Sequence, residues 1–221
     1  SCADAQGTRD GVCDVGDSIA LGYLTTGGSP SSVQIVLTLT AVDVDKNYWV
    51  GTFSSQEIPY SSDGPHTASF YMCCRIYGIV NNPVELPTTA EVRFLPDRDQ
   101  QSPVTSVPAI VNVQEGTDAA FALPVADGDF DLVKFTRFAV QERNPSGHTL
   151  SQLAIDPVSG IITWPTGDTP RGLYTVIVKI EDYDYRHCSA PVTACAQDTR
   201  LSDVMVDFFI QVVEQVGFCA T

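Results

Sequence analysis

The chain has 221 residues, 43% of them hydrophobic and only 18% charged, so it is too apolar to be disordered and has room for one large core or two domains of about 100 residues. Twelve Lys and Arg against 27 Asp and Glu give a formal net charge of -15 and a pI near 4.3. Such a surface repels phosphate backbones and anionic lipid, which argues against nucleic acid as a partner, and no apolar run reaches the ~18 residues of a membrane span.

Taken in order, residues 1–17 are polar, rich in Gly and Asp, and carry Cys2 and Cys13, which reads as a loop held by disulfide. A strand is predicted over 18–24 and a Gly/Ser/Pro turn over 25–32. Residues 33–44 alternate, with Val33, Ile35, Leu37 and Leu39 on one face. A shorter strand with Tyr48 and Trp49 spans 48–53, and another, with Ala68, Phe70 and Met72 on one face, spans 66–76. Adjacent Cys73 and Cys74 point to opposite faces of a strand and therefore take different partners. Asn81-Asn82-Pro83 breaks the strand, and 88–95 closes the first unit. Residues 96–108 contain three Pro and form an extended, moderately stiff linker.

Beyond the linker, strands are predicted over 109–113, 119–123, 133–140, 153–155, 160–164, 173–181 and 204–213, the spacing of a sandwich. An insertion over 183–202 separates the last two and holds Cys188 and Cys195, which are expected to pair and staple a small loop. Cys219 lies in the tail; the pairing of Cys2, Cys13, Cys73, Cys74 and Cys219 stays open. Seven cysteines are dense for a cytosolic β protein and ordinary for a secreted one, and the odd count leaves one thiol free or bonded outside the chain. The start at Ser1-Cys2 reads as a mature or excised ectodomain piece.

Three motifs carry a resemblance: Pro124-Val-Ala-Asp-Gly-Asp129, Leu153-Ala-Ile-Asp-Pro-Val-Ser-Gly-Ile-Ile-Thr-Trp164 and Gly172-Leu-Tyr-Thr-Val-Ile-Val-Lys-Ile-Glu-Asp182. Together they resemble the immunoglobulin-like and cadherin-like modules of surface proteins. The first half, through His66-Thr-Ala-Ser-Phe-Tyr-Met-Cys-Cys-Arg-Ile76, resembles a PKD-like module, although the usual Gly-x-Tyr-Thr-Ala lead-in is here Gly64-Pro-His-Thr-Ala68. The resemblances imply an all-β chain of two tandem Ig-like/cadherin-like β-sandwich domains, 1–102 and 103–221, doing extracellular spacing, adhesion or matrix work without catalysis.

Asp127, Asp129 and Asp131 at i, i+2, i+4 set three carboxylates on one side of an extended loop, as a hard cation requires. Leu132 and Phe138 stand where an EF-hand needs Gly and Glu, so the alternative is plain turn chemistry. Glu181, Asp182 and Asp184 form a second acidic group that, in cadherin-like folds, can meet an acidic loop across the domain end; calcium is the cofactor so implied. Asp97 and Asp99 in the linker, with Arg98 between them, and Asp43 and Asp45 read as solvated or strand-end residues. Tyr48, Trp49, Trp164, Tyr183 and Tyr185 are candidates for a sugar-stacking face; Trp164 reads as core, and Tyr183 and Tyr185 as the surface pair. His66 beside Cys73 or Cys74 is outweighed as a nucleophile pair by structural disulfides, and His66, His148 and His187 lack metal spacing. No hydrolase, zincin or nucleotide motif occurs. The expected function is a non-catalytic extracellular structural or adhesion module, with neighbouring domains or other surface proteins as partners and no membrane insertion of this segment. The alternative is a calcium-dependent, lectin-like module that binds glycans.

Overall fold

The computed structural model describes residues 16, 18–26, 32–43, 48–52, 64–70, 79–81, 88–94, 100–137, 150–188 and 191–214. They form an all-β chain: β1 (Ser18–Thr26), β2 (Ser32–Asp43), β3 (Tyr48–Thr52), β4 (Gly64–Phe70), β5 (Thr88–Phe94), β6 (Val104–Thr105), β7 (Ile110–Gln114), β8 (Ala119–Ala122), β9 (Val125–Ala126), β10 (Leu132–Arg137), β11 (Ala154–Ile155), β12 (Ile161–Trp164), β13 (Gly172–Tyr183) and β14 (Arg200–Val213). Two single 3₁₀ turns, Val192–Ala194 and Gln197–Thr199, lie between β13 and β14. No helix among the described residues is long and apolar enough to cross a membrane.

Alternation builds the second half into a sandwich. On β13, Tyr174, Val176, Val178 and Ile180 share one face, and Phe208, Ile210 and Val212 do the same on the antiparallel β14. Ile162 and Trp164 of β12 close over them from a three-stranded sheet ordered β11-β12-β8. Trp164 meets Tyr174 edge-on at 5.0 Å between ring centroids, and Phe121 meets Phe208 at 6.4 Å. Trp164 is therefore core, as its sequence position indicates. The Tyr174 hydroxyl donates to the Pro170 carbonyl at 2.8 Å, so its one polar atom is satisfied, while burial pushes its pKa up to about 12. Truncating Trp164 to Ala would cost about 3–5 kcal/mol.

One tight turn sets the register of β11 and β12. Asp156 Oδ1 accepts from the Val158 and Ser159 amides at 3.1 and 2.7 Å and from Ser159 Oγ at 2.8 Å. Gly160 ends the turn at φ 67, in the left-handed region, and its missing side chain leaves room for the Phe135 ring.

The larger sheet has nine strands, ordered β10-β13-β14-β5-β4-β1-β2-β3, with β7 added on β14. The β7–β14 pairing is parallel and the others are antiparallel. β14 has 14 residues, and one of its edges serves two neighbours. Near its start Ser202, Asp203 and Val204 pair with Val92, Glu91 and Ala90 of β5; near its end Phe209–Val213 pair with Ile110–Gln114. Strands of the first half thus continue hydrogen-bonded into the sheet of the second. β6 and β9, two residues each, pair with each other and are absent from the sequence-based prediction.

Candidate functional site

The predicted acidic residues gather at one end of the second half. The turn between β9 and β10 carries Asp127, Asp129 and Asp131; the end of β13 and the segment after it carry Glu181, Asp182 and Asp184. The structure divides these six into two kinds.

Asp127, Asp129, Asp131 and Asp182 act on one another. Asp182 is fully buried; its Oδ1 accepts from the Ser202 amide at 2.6 Å and its Oδ2 from Ser202 Oγ at 3.1 Å. Burial, and then the charges of Asp131 and Asp129 against the relief from Ser202, push its pKa up to about 7. Asp127 is likewise pushed to about 7 by burial and by a hydrogen bond to the Asp129 side chain, with the charges of Asp129 and Asp182 adding to the rise. Asp127 Oδ1 also accepts from the Asp129 amide at 3.1 Å, Asp129 Oδ2 from the Gln101 amide at 3.1 Å, and Asp131 Oδ1 from the Tyr185 amide at 3.3 Å. The acidic turn is thereby tied to the linker on one side and to the segment after β13 on the other.

Glu181 and Asp184 have basic partners of their own, which corrects the expectation of one six-acid group. Strand alternation sends Glu181 to the sheet face opposite Asp182. There it meets Lys134 at 3.6 Å, Lys179 at 3.2 Å and Arg200 at 3.3 Å, and Asp203 joins through Lys179 at 3.0 Å and Arg200 at 2.7 Å. Burial opposes the Glu181 charge, but Lys179, Lys134 and Arg200 outweigh it and hold the carboxyl below the usual carboxylate range. Asp184 is bound by Arg186 at 3.1 Å and His187 at 2.9 Å.

Among the described residues, no three His, Cys, Asp or Glu side chains converge as a ready metal site. Asp127, Asp129, Asp131 and Asp182 all offer carboxylate oxygens, and burial beside their neighbours makes two of them resist ionising.

Tyr183 is corrected outright. It is 0% exposed, packs with Cys188 and Val192, and its hydroxyl accepts from Gln197 Nε2 at 3.1 Å, so it offers no stacking face. Tyr185, two residues on, is 55% exposed. Cys188 and Cys195 are joined in a disulfide with their Cα atoms 5.3 Å apart. Cys2, Cys13, Cys73, Cys74, Cys219, Asp45, Asp97, Asp99 and His148 lie outside the described residues; Asp43 ends β2, Tyr48 and Trp49 belong to β3, and His66 to β4.

Two positions carry roles that sequence reasoning missed. Asn81, read as a strand breaker, is fully buried and bonds both backbone groups of Thr175: Oδ1 accepts from its amide and Nδ2 donates to its carbonyl, each at 3.0 Å. Phe130, passed over between two aspartates, is 85% exposed at φ 63. An Asn-Asn pair signals a turn whether or not its amide is used elsewhere, so only the fold reveals the first. The Asp-Phe-Asp pattern, a large apolar residue inside an acidic turn, was a usable signal for the second.

Residues 5–86 match the family model described as integrin beta-like protein A-E, N-terminal. Over 221 residues, 94% of this chain, the sequence is 25% identical to integrin beta-like protein A of Dictyostelium discoideum, and over 93% of the chain 27% identical to integrin beta-like protein C of the same organism. The chain spans about a tenth of the length of these curated relatives. Among solved structures, a candidate alpha-galactosidase from Bacteroides fragilis aligns with 52% of this chain and 18% of its own at 20% identity and a TM-score of 0.34. Extracellular cadherin domains 3-6 of protocadherin gamma B2 align with 87% of this chain and 40% of theirs at 12% identity and a TM-score of 0.33.

Proposed function

We propose that this chain is a non-catalytic adhesion or structural module of a cell-surface, matrix or filament protein, working outside the cell. The observation that carries the reading is similarity to integrin beta-like proteins over more than nine tenths of the chain. The disulfide-closed loop supports an oxidising compartment. On this reading residues 1–102 form a PKD-like unit and 103–221 an Ig-like or cadherin-like unit, and the partners are neighbouring domains or other surface proteins. Beads coated with the 221-residue chain should hold cells more firmly than albumin-coated beads. Equal adhesion to both would sink the proposal.

Calcium belongs to the same proposal, with Asp127, Asp129, Asp131 and Asp182 as its ligands; bound there, it would neutralise carboxylates that otherwise repel one another. A cation that binds only the folded chain raises its stability by about 2.7 kcal/mol at a hundredfold excess over its dissociation constant. Melting in calcium and again in excess chelator should differ by several degrees. Coincident melts would return the acidic turn to turn chemistry. The glycan-binding alternative loses Tyr183 to the core and rests on exposed Tyr185 beside the acidic turn; a glycan array probed in calcium, with Tyr185→Ala as control, tests it.

A further inference from the structure

We propose that Phe130 and Tyr185 form the anchor of a protein-docking tip whose occupant is a basic segment of a partner protein, one that sets Arg or Lys beside an apolar side chain. The inference rests on the adhesion reading and names the surface that would serve it. Phe130 is, at 85%, the most exposed of the large hydrophobic side chains among the described residues, and it is also the one non-glycine residue among them with positive φ, at 63. Two unfavourable features coincide at this position. Asn would relieve both, since it tolerates the left-handed region and is polar. Backbone outliers of this kind cluster at binding sites and switch regions.

The ring is not on a loose loop. Asp127 takes the Asp129 amide, Asp129 takes the Gln101 amide, and Asp131, the residue after Phe130, is buried and takes the amide of Tyr185 itself. The side chain of the residue after Phe130 thus accepts from the backbone of Tyr185 at 3.3 Å, which brings the two segments together. The segment bearing Tyr185 is fixed in turn by the Cys188–Cys195 disulfide and by the bonds of Asp184 to the Arg186 and Cys188 backbones. The backbone at both aromatics is thus held in place before any partner arrives, which lowers the cost of binding.

Charge selects the occupant. Asp127 and Asp129 are partly exposed in the turn that carries Phe130, while Asp131, Asp182 and Asp184 are buried; on the Tyr185 segment Arg186 and His187 both bond Asp184, and Lys134 is bound to Glu181 over the buried Tyr183 ring. A guanidinium or ammonium on a partner gains from the aromatic faces and from the chain's net charge of -15, and its neighbouring apolar group covers the exposed ring. A second copy of this chain would bring a charge of -15 to a negative surface and is disfavoured.

The test pans phage-displayed random dodecapeptides on the immobilised 221-residue chain, then measures the selected peptides against Phe130→Asn and Tyr185→Ser. Asn at 130 should leave the melting temperature unchanged or higher, so lost binding is not lost fold. The expected result is enrichment of peptides with Arg or Lys beside an aliphatic or aromatic residue, with affinity reduced at least ~10-fold by either substitution and weakened by salt. No enrichment, neutral or acidic peptides, or equal affinity for the variants would overturn the proposal. So would a glycan-array signal or a sedimenting dimer that Phe130→Asn abolishes, because either assigns the tip to another occupant. Cells that hold Phe130→Asn beads as firmly as parent beads leave the adhesion reading standing and overturn the tip. Beads that hold no cells in either form, with peptides bound as expected, sink the adhesion reading alone.

Discussion

Asp182 and Asp127 are carboxyls raised from an ordinary value of 3.8 to about 7. Between those values the folded chain holds protons that the unfolded chain has released. Their contribution to stability is therefore complete at the acid side of the window, declines as pH rises through it, and is gone above about pH 7. Glu181 and Asp156 work in the opposite sense: both sit below the usual carboxylate range, so their contributions are present above it and fade only as pH falls through their lowered values. In chelator, the melting temperature should therefore be higher at pH 5 than at pH 8. Asp182→Asn keeps an acceptor for the Ser202 amide and removes the charge. It should flatten the pH dependence and stabilise the chain at pH 8 by on the order of 1 kcal/mol, a rise of about 2–4 °C for a chain of this size. A variant that melts below the parent at pH 8 would show that the ionised carboxylate is needed by the fold. At Gly160 the argument is steric: a Cβ would strain the turn at φ 67 and meet the Phe135 ring. Gly160→Ala should cost about 1–3 kcal/mol, read from the urea midpoint.

At the level of elements, β13 draws its neighbours from distant parts of the chain. β10 and β14 flank it by regular pairing, and toward its start Asn81 supplies side-chain bonds that imitate a strand. Asn81→Ala would leave a buried amide and carbonyl to lose those bonds, at about 1–3 kcal/mol each before relaxation. Amide exchange at Thr175 should accelerate markedly while that at Val178 changes little; equal acceleration along β13 would instead mean general loosening. The strands themselves were readable: Tyr174 to Ile180 alternates with β-branched residues on both faces, and Asp156 to Gly160 is a turn with its own chemistry. The site was only half readable. Residue spacing brings Asp127, Asp129 and Asp131 together, but whether Glu181 belongs with them depends on which side of β13 it faces and which cations wait there. Likewise Tyr183 and Tyr185 look alike in sequence and share a strand face by spacing. What separates them is that the disulfide-closed segment folds back over the first and not the second.

Over the whole molecule, β5 and β14 join the halves through Val92, Glu91 and Ala90 against Ser202, Asp203 and Val204, and the Asn81 clamp adds a second tie. Hydrogen-bonded ties of this kind couple folding of one half to the other. Scanning calorimetry should record one transition for the 221-residue chain, and an excised 103–221 piece should melt lower than the chain that contains it. Two resolved transitions, one matching the excised piece, would show that the halves unfold independently.

The parallel pairing of β7 with β14 has a mechanical meaning. β7 enters the second half and β14 leaves it, so tension along the chain pulls the start of one strand against the end of the other. Because the strands run the same way, the five residue pairs from Phe209↔Ile110 to Val213↔Gln114 are loaded in shear and must yield together instead of opening one at a time like a zip. A chain held under tension would thus resist stretching at the seam where β7 and β14 meet.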